Sequence, residues 1–96
     1  MNDMLEVEYT TQFKRDLKRA KRRQKDLKIL QTVMKNIESE NSLSLKWKDH
    51  ALFGDWVNHR ELHLEPDWLL IYRYIPKKKV VVFVRTGSHK DLFKKY

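Results

Sequence analysis

The sequence contains no cysteine, only two glycines and two prolines, and no apolar run longer than five residues. The lack of cysteine excludes disulfides, thiolate zinc sites and a cysteine nucleophile, and it fits a reducing compartment. Two glycines cannot supply the phosphate-binding loops of nucleotide enzymes, so no nucleotide cofactor is expected. A membrane span needs about 20 apolar residues. The acidic N-terminus, with Asp3, Glu6 and Glu8, also lacks a signal-peptide pattern. We therefore expect a cytoplasmic protein without a membrane partner.

The chain carries an excess of positive charge that is unevenly distributed. Its 96 residues are 41% hydrophobic, which suffices for one small domain over residues 1–96. The net charge is +8, and residues 14–28 and 71–96 each sum to +7. Such clustering is typical of a polyanion-binding surface, since basic side chains that contact phosphates release counterions. Lys14, Lys18 and Lys21 lie at helical spacing and are predicted to dock RNA without taking part in chemistry. The alternative is a solvated helix face.

Hydrophobic periodicity predicts the order β-α-α-β-β-β. Residues 5–9 alternate as a strand, Thr10 or Thr11 can cap a first helix, and Asp26 can cap a second. Residues 47–58 lack a period and are predicted to form an ordered loop. Three strands follow, starting near His59, Trp68 and Val80, and residues 91–93 are predicted to form a short helical turn. We expect an α+β domain, with a helical hairpin packed on a mainly antiparallel sheet.

Polar side chains with catalytic potential occur at the predicted strand ends. His63 and Asp67 flank the same turn, so they are expected to approach each other. Asp67 then either fixes the tautomer of His63 or acts alone, or else it caps the turn beside a surface histidine. Arg85 and His89 bracket the end of the last strand. A loop residue such as His50 is more often a surface histidine than a ligand or base, and His59 is interpreted as a surface residue.

The histidine spacing does not predict a metal site. His59 and His63 fall on one predicted strand, where residues four apart are about 13 Å from each other. Imidazole and cationic groups suit RNA transesterification instead, in which a 2′-OH attacks the adjacent phosphate. That reaction needs a base, an acid and positive charge at the phosphate, and it requires no metal or activated water.

Four spaced blocks carry a resemblance to a known family. They are KDHALFGDW at residues 48–56, RELH at 60–63, PDWLLIY at 66–72, and RTGSH at 85–89 with LF at 92–93. With these blocks the chain, from about residue 5 to 93, resembles the YafQ branch of the RelE-superfamily toxins. These are bacterial toxin–antitoxin components of compact RelE fold that cleave mRNA in the ribosomal A site.

The resemblance implies a role for individual residues. His50, His63 and Asp67 match a cluster on the base side, without indicating which of them takes the 2′-OH proton. Arg85 matches a residue that holds the scissile phosphate, and His89 matches the general acid. The residues that match RNA contacts are Trp68, beside the base cluster, and Phe93, which would stack on an mRNA base.

The resemblance also implies partners. These are an acidic antitoxin, the ribosome with its RNA, and mRNA, with DNA contacted only through the antitoxin complex. No cofactor and no metal are expected. The alternatives are a noncatalytic module of the same fold, such as a gyrase-inhibiting ParE-type toxin or a basic RNA-binding protein, and a degenerate toxin whose histidines are surface residues. A noncatalytic module would not need the histidine and aspartate set.

Overall fold

The two predicted helices form as a hairpin. The computed structural model describes residues 4–93, and in it α1 spans Thr11–Arg22 and α2 spans Leu27–Glu38. Thr10 caps α1, since its hydroxyl accepts the N–H of Phe13 at 2.9 Å. Asp26 caps α2 by accepting the N–H of Lys28 at 3.0 Å. Both helices carry an apolar stripe, which packs on the sheet.

The sheet has five strands in the order β1-β5-β4-β3-β2. They are β1 (Glu6–Tyr9), β2 (His50–Ala51), β3 (Arg60–Glu65), β4 (Trp68–Ile75) and β5 (Val80–Gly87). Only the β1–β5 pair is parallel, so the predicted α+β fold with a mainly antiparallel sheet is confirmed. Strand β2 lies inside the predicted loop. Two residues are too few to show a period in the sequence.

The two faces of the sheet are covered unequally. The face toward α1 and α2 holds the main core, which includes Phe13, Leu62 and Trp68. Leu69, Ile71 and Leu92 form a smaller cluster on the other face, with Trp56 and Phe93 packed against it. Trp68 is only 1% exposed. Its ring is therefore a core element, and the expected RNA contact by Trp68 does not fit the structure.

The C-terminal helical turn begins two residues earlier than predicted. Helix α3 spans His89–Leu92, and Ser88 and Asp91 form a capping box at its start. The backbone at Gly87 leaves little room for a side chain, since a Cβ added there would lie 3.0 Å from the Cβ of Asp91. The capping box makes His89 the first residue of α3. Within residues 4–93, no helix has the length and hydrophobicity needed to cross a bilayer.

Candidate active site

Strand register places His50, Glu61 and His63 on the sheet face opposite the helices. His50 pairs with Glu61, and Glu61 pairs with Ile71. His63 lies on the same side, since side chains two residues apart on a strand share a face. Leu62 and Leu64, which alternate with these residues, pack in the helix-side core. Arg85 pairs with Ile71 beside a bulge, and its side chain turns to Asp16 on α1.

Glu61 lies between two histidines. Its Oε1 is 3.3 Å from Nε2 of His50 and 3.4 Å from Nε2 of His63. The Glu61 side chain is 7% exposed, whereas those of His50 and His63 are 48% and 24% exposed. Nδ1 of His50 donates to the carbonyl of Lys48 at 2.7 Å, because a carbonyl only accepts. The Nδ1 proton of His50 is therefore directed away from Glu61, and Nε2 of His50 faces the Glu61 oxygen. This contact is attractive when a proton lies either on Nε2 or on the carboxylate.

Asp67 pairs with His89 and not with His63. Its Oδ1 accepts the backbone N–H of His89 at 2.9 Å and the ring Nδ1–H at 2.7 Å. These two bonds, the backbone one first, hold the pKa of Asp67 below its usual value. The expectation that Asp67 bonds His63 across their shared turn is wrong, because the start of α3 brings the His89 N–H and ring to the same oxygen. Since Nδ1 bears a proton, Nε2 of His89 is the nitrogen that can exchange a proton with substrate.

Aromatic rings connect the two clusters into one surface. The His50 and His63 ring centroids are 6.0 Å apart, and those of His63 and His89 are 5.8 Å apart. The line continues from His89 to Phe93 at 6.5 Å and from Phe93 to Trp56 at 5.9 Å. Phe93 is half-buried against Trp56, so part of its ring is free to meet a base. His59 contacts Trp56 at the other end of this line of rings.

The segment that carries His50 is fixed by its neighbour Asp49. The Asp49 carboxylate accepts hydrogen bonds from Nε of Arg60 at 3.0 Å and Nη2 of Arg60 at 2.7 Å. It also accepts the hydroxyl of Tyr72, whose pKa is raised by burial and then by this hydrogen bond. Asp49 thus ties β2 to β3 and β4. Residues 47–58, predicted to form an ordered loop, are thus anchored by a carboxylate.

Arg85 is held by a buried carboxylate. Its Nε and Nη2 donate to the two oxygens of Asp16 at 2.8 and 3.1 Å. Asp16 lies on α1 and is 1% exposed. The Arg85 side chain keeps 20% of its surface exposed.

The basic segment 14–28 divides into two groups. Lys14, Lys18 and Lys21 are exposed and line an apolar groove between α1 and α2, together with Leu17, Leu27, Leu30, Gln31, Met34 and Tyr9. Arg23 instead donates to Asp91 of α3 at 2.7 Å. Although this basic segment is predicted to dock RNA, its Arg23 braces the helix that begins with His89.

Several residues of the site were not singled out from the sequence. Glu61 sits two positions before His63, so strand periodicity could have placed both on one face. Asp49 and Asp16 had no such signal, since their partners Tyr72 and Arg85 are distant in sequence. Long-range pairs of this kind depend on how the elements pack.

Comparison with known proteins identifies the family of this chain. A family model described as "Bacterial toxin of type II toxin-antitoxin system, YafQ" matches residues 5–94. The chain belongs to the YafQ toxin family. The expected resemblance and fold are thereby confirmed. The mRNA interferase toxin YafQ of Escherichia coli K12 is 43% identical over 93 residues, covering 92% of this chain and 95% of the relative.

Two solved structures share the fold over nearly the whole chain. A metal-bound toxin from Helicobacter pylori has a TM-score of 0.89 at 41% identity, covering 94% of this chain and 100% of that one. The E. coli DinJ-YafQ toxin-antitoxin complex has a TM-score of 0.85 at 38% identity, covering 94% and 98%. The E. coli relative is named an mRNA interferase, which is the enzyme class expected from the sequence.

The histidine–glutamate cluster also has the geometry of a metal-binding group. The ligand atoms of His50, Glu61 and His63 all lie within 4.8 Å of one another. Zn²⁺ and Cu²⁺ both bind imidazole nitrogens and carboxylate oxygens as ligands. The sequence-based expectation of no metal cluster is therefore not supported by the geometry, because Glu61 and β2 complete a set that histidine spacing alone does not reveal.

Proposed function

We propose that this protein is a ribosome-dependent endoribonuclease toxin that cleaves mRNA in the ribosomal A site. The observation that carries the proposal is the pairing of two proton-transfer groups on one face. The His50–Glu61–His63 cluster stands beside the Asp67–His89 pair, with 5.8 Å between the His63 and His89 rings. A base and an acid at this separation can serve the two ends of one phosphodiester.

The base side of the reaction belongs to the cluster around Glu61. The 2′-OH of the substrate ribose must lose a proton as its oxygen attacks the adjacent phosphorus. Because Glu61 faces both His50 and His63, a proton taken by either imidazole is stabilised by a nearby carboxylate. We treat the three groups as one unit. Asp67 is excluded from it, since it bonds the histidine on the acid side.

The acid side belongs to His89. Asp67 holds Nδ1–H of His89, which leaves Nε2 to carry the second proton when the ring is charged. That proton passes to the departing 5′-oxygen as the P–O5′ bond breaks. The products are a 2′,3′-cyclic phosphate upstream and a 5′-hydroxyl downstream. Arg85 supplies positive charge for the dianionic transition state.

The partners follow from the charged and aromatic surfaces. Phe93 offers a ring beside His89 for base stacking, and such stacking contributes on the order of 1–3 kcal/mol. Lys14, Lys18 and Lys21 present cations around an apolar groove. We propose that this groove binds ribosomal RNA in the active state and an acidic antitoxin in the inhibited state.

The test is cleavage of mRNA on programmed ribosomes with chemical mapping of both new ends. The protein is first stripped with EDTA and then returned to the magnesium buffer that ribosomes require. We expect A-site cleavage, a cyclic or 3′-phosphate upstream and a 5′-hydroxyl downstream, with no loss of rate after stripping.

Three outcomes would count against the proposal. Products with a 3′-hydroxyl and a 5′-phosphate would exclude transesterification. A rate that returned only when a transition metal was added back would exclude the metal-independent mechanism. Folded protein that leaves mRNA intact, with or without ribosomes, would favour the noncatalytic binding module.

A further inference from the structure

Asp16 is a buried carboxylate that the proposed reaction does not use directly. Its side chain is 0% exposed, although it lies in the middle of α1. It accepts hydrogen bonds from Arg85, from the N–H of Thr86 at 3.1 Å and from Nη2 of Arg19 at 3.0 Å. Gln12 adds one more, from Nε2 at 3.2 Å. Buried carboxylates are costly unless they are paired this fully, so a specific role for Asp16 is worth seeking.

The carboxylate occupies an open edge of the sheet. Strand β1 pairs with β5 only as far as Phe83, so the next part of the outer edge of β5 has no strand partner among residues 4–93, and the Thr10 hydroxyl donates to the Val84 carbonyl there. The N–H of Thr86 projects from that edge and donates to Asp16. Arg85 belongs to the same stretch. Asp16 thus fixes the side chain of Arg85, whose strand partner Ile71 also pairs with Glu61 of the candidate base cluster.

The geometry of the Arg85 contact leaves one side of the guanidinium free. Asp16 takes Nε–H and one hydrogen of Nη2. The two hydrogens of Nη1 and the second hydrogen of Nη2 have no hydrogen-bond partner among residues 4–93. Those donors form the end of the planar fork, which matches two oxygens of a phosphate.

The paired carboxylate does not cancel the positive charge of this region. Arg85 and Arg19 share Asp16, while Arg19 and Arg23 also approach Asp91, at 3.7 and 2.7 Å. Three guanidiniums therefore face two carboxylates. The cluster keeps a net charge of +1, so Arg85 remains attractive to a phosphate.

We propose that Asp16 is a positioning residue, which holds the Arg85 guanidinium so that its free fork is presented to the scissile phosphate. The proposal rests on the proposed function, in which Arg85 binds that phosphate. An unpaired arginine samples many rotamers, and fixing one of them only when substrate arrives opposes catalysis. A donor fixed in advance needs no reorganisation as charge develops on the phosphate.

The test is a double-mutant cycle in single-turnover cleavage on programmed ribosomes. Asp16→Asn should lower the rate about 10–100-fold at saturating ribosome, with KM near wild type, because a misplaced group costs up to about 10²-fold. Arg85→Ala should lower it about 10²–10³-fold. If Asp16 acts through Arg85, the double variant should cleave no more slowly than Arg85→Ala.

Two measurements separate positioning from a general loss of structure. In a ¹⁵N spectrum of Asp16→Asn, the Arg85 Nε–H signal should shift and broaden while backbone amide dispersion is retained. Gln12→Ala is the matched control, since it removes another hydrogen bond to the same carboxylate but keeps the Arg85 pair and the charge of the cluster. It should cleave near the wild-type rate. If Asp16→Asn does not fold, Asp16→Glu keeps the charge and shifts the carboxylate by one methylene, which should also lower the rate.

The cycle distinguishes failure of this proposal from failure of the proposed function. The positioning role is overturned if the loss caused by Asp16→Asn multiplies that of Arg85→Ala in the double variant, if the folded Asp16 variants cleave at the wild-type rate, or if Gln12→Ala is equally damaging. Wild-type cleavage by Arg85→Ala would instead remove the assignment of Arg85 itself.

Discussion

Replacing His89 with alanine tests the acid side of the site. The His89 side chain is 53% exposed, and it contributes one hydrogen bond, to Asp67. The backbone N–H of His89 bonds the same Asp67 oxygen, and alanine keeps that bond. Exposed ion pairs contribute little to stability, so the melting temperature should stay close to wild type. The variant removes the imidazole that we propose as the proton donor for the 5′-oxygen.

The expected kinetic effect is large. General acid catalysis accelerates reactions about 10²–10⁴-fold, which corresponds to about 3–5 kcal/mol of barrier. Single-turnover cleavage by His89→Ala should fall by that factor. His59→Ala is the matched control, because His59 lies at the far end of the line of rings and its Nδ1 contacts only its own loop. The control should cleave within about twofold of wild type.

A modified substrate makes the test specific for proton donation to the leaving group. If sulfur replaces the 5′-oxygen at the cleavage site, the leaving thiolate has a parent pKa near 8.5, far below that of an alcohol or water. It departs without an acid. His89→Ala and wild type should then cleave the sulfur substrate at similar rates. Cleavage of normal mRNA within a few-fold of wild type, or no recovery with sulfur, would refute the reasoning.

Three further predictions concern the base, the docking groove and the support of α3. Glu61→Gln should reduce single-turnover cleavage about 10²-fold or more without unfolding the protein, because it removes the charge that both histidines face. Changing Lys14, Lys18 and Lys21 together to Gln should weaken ribosome binding and flatten its log–log salt dependence by about one unit per lost phosphate contact, while bound toxin cleaves normally. Asp91→Asn should lower the free energy of unfolding by about 0.5–2 kcal/mol at pH 7, since a capping group is lost. The hydrogen bond from Arg23 depresses the pKa of Asp91, so this stabilisation is present above the unfolded pKa near 3.9 and disappears as pH falls through the lower folded pKa.

Each of these predictions has a control and a result that contradicts it. Changing Lys77, Lys78 and Lys79 to Gln removes the same charge from an exposed turn, and it should affect ribosome binding less than the helix variant. Equal effects would show that only net charge matters. A Glu61→Gln variant with a wild-type rate would remove Glu61 from the base cluster. For Asp91→Asn, urea titrations across pH 3–7 should show the difference from wild type shrinking on acidification, and a constant difference would exclude the linkage.

Much of the fold was predictable because its main elements repeat a pattern over enough residues. Helices α1 and α2 show an apolar stripe behind capping residues Thr10 and Asp26. The two-residue strand β2 has no period, and it forms only because β3 offers an edge. Helix α3 could have been placed correctly, since Ser88 and Asp91 have the spacing of a capping box.

The residues of the candidate site were easier to predict from the sequence than the hydrogen bonds between them. Family resemblance supplied His50, His63, Asp67, Arg85 and His89, and register brings the strands that carry them together. The hydrogen-bond partners were harder to predict, because Asp67 could reach either His63 or His89 and the sequence does not show which of them it bonds. Burial of Trp68 was accessible, because residues 68–74 form a continuous run typical of a buried strand. The RNA contact implied for Trp68 came from the family resemblance alone, and it conflicts with this burial.

Helix α3 is only four residues long, and this has a consequence for how the protein can lose activity. A single helical turn has little stability of its own, so it depends on Ser88, Arg23, Asp67 and the burial of Leu92. Local opening of such a turn costs far less than global unfolding. Amide protons of residues 89–93 should therefore exchange with solvent before those of β4 and β5. The sheet can stay intact while His89 and Phe93 move out of line, so the proposed acid can be displaced without global unfolding of the protein.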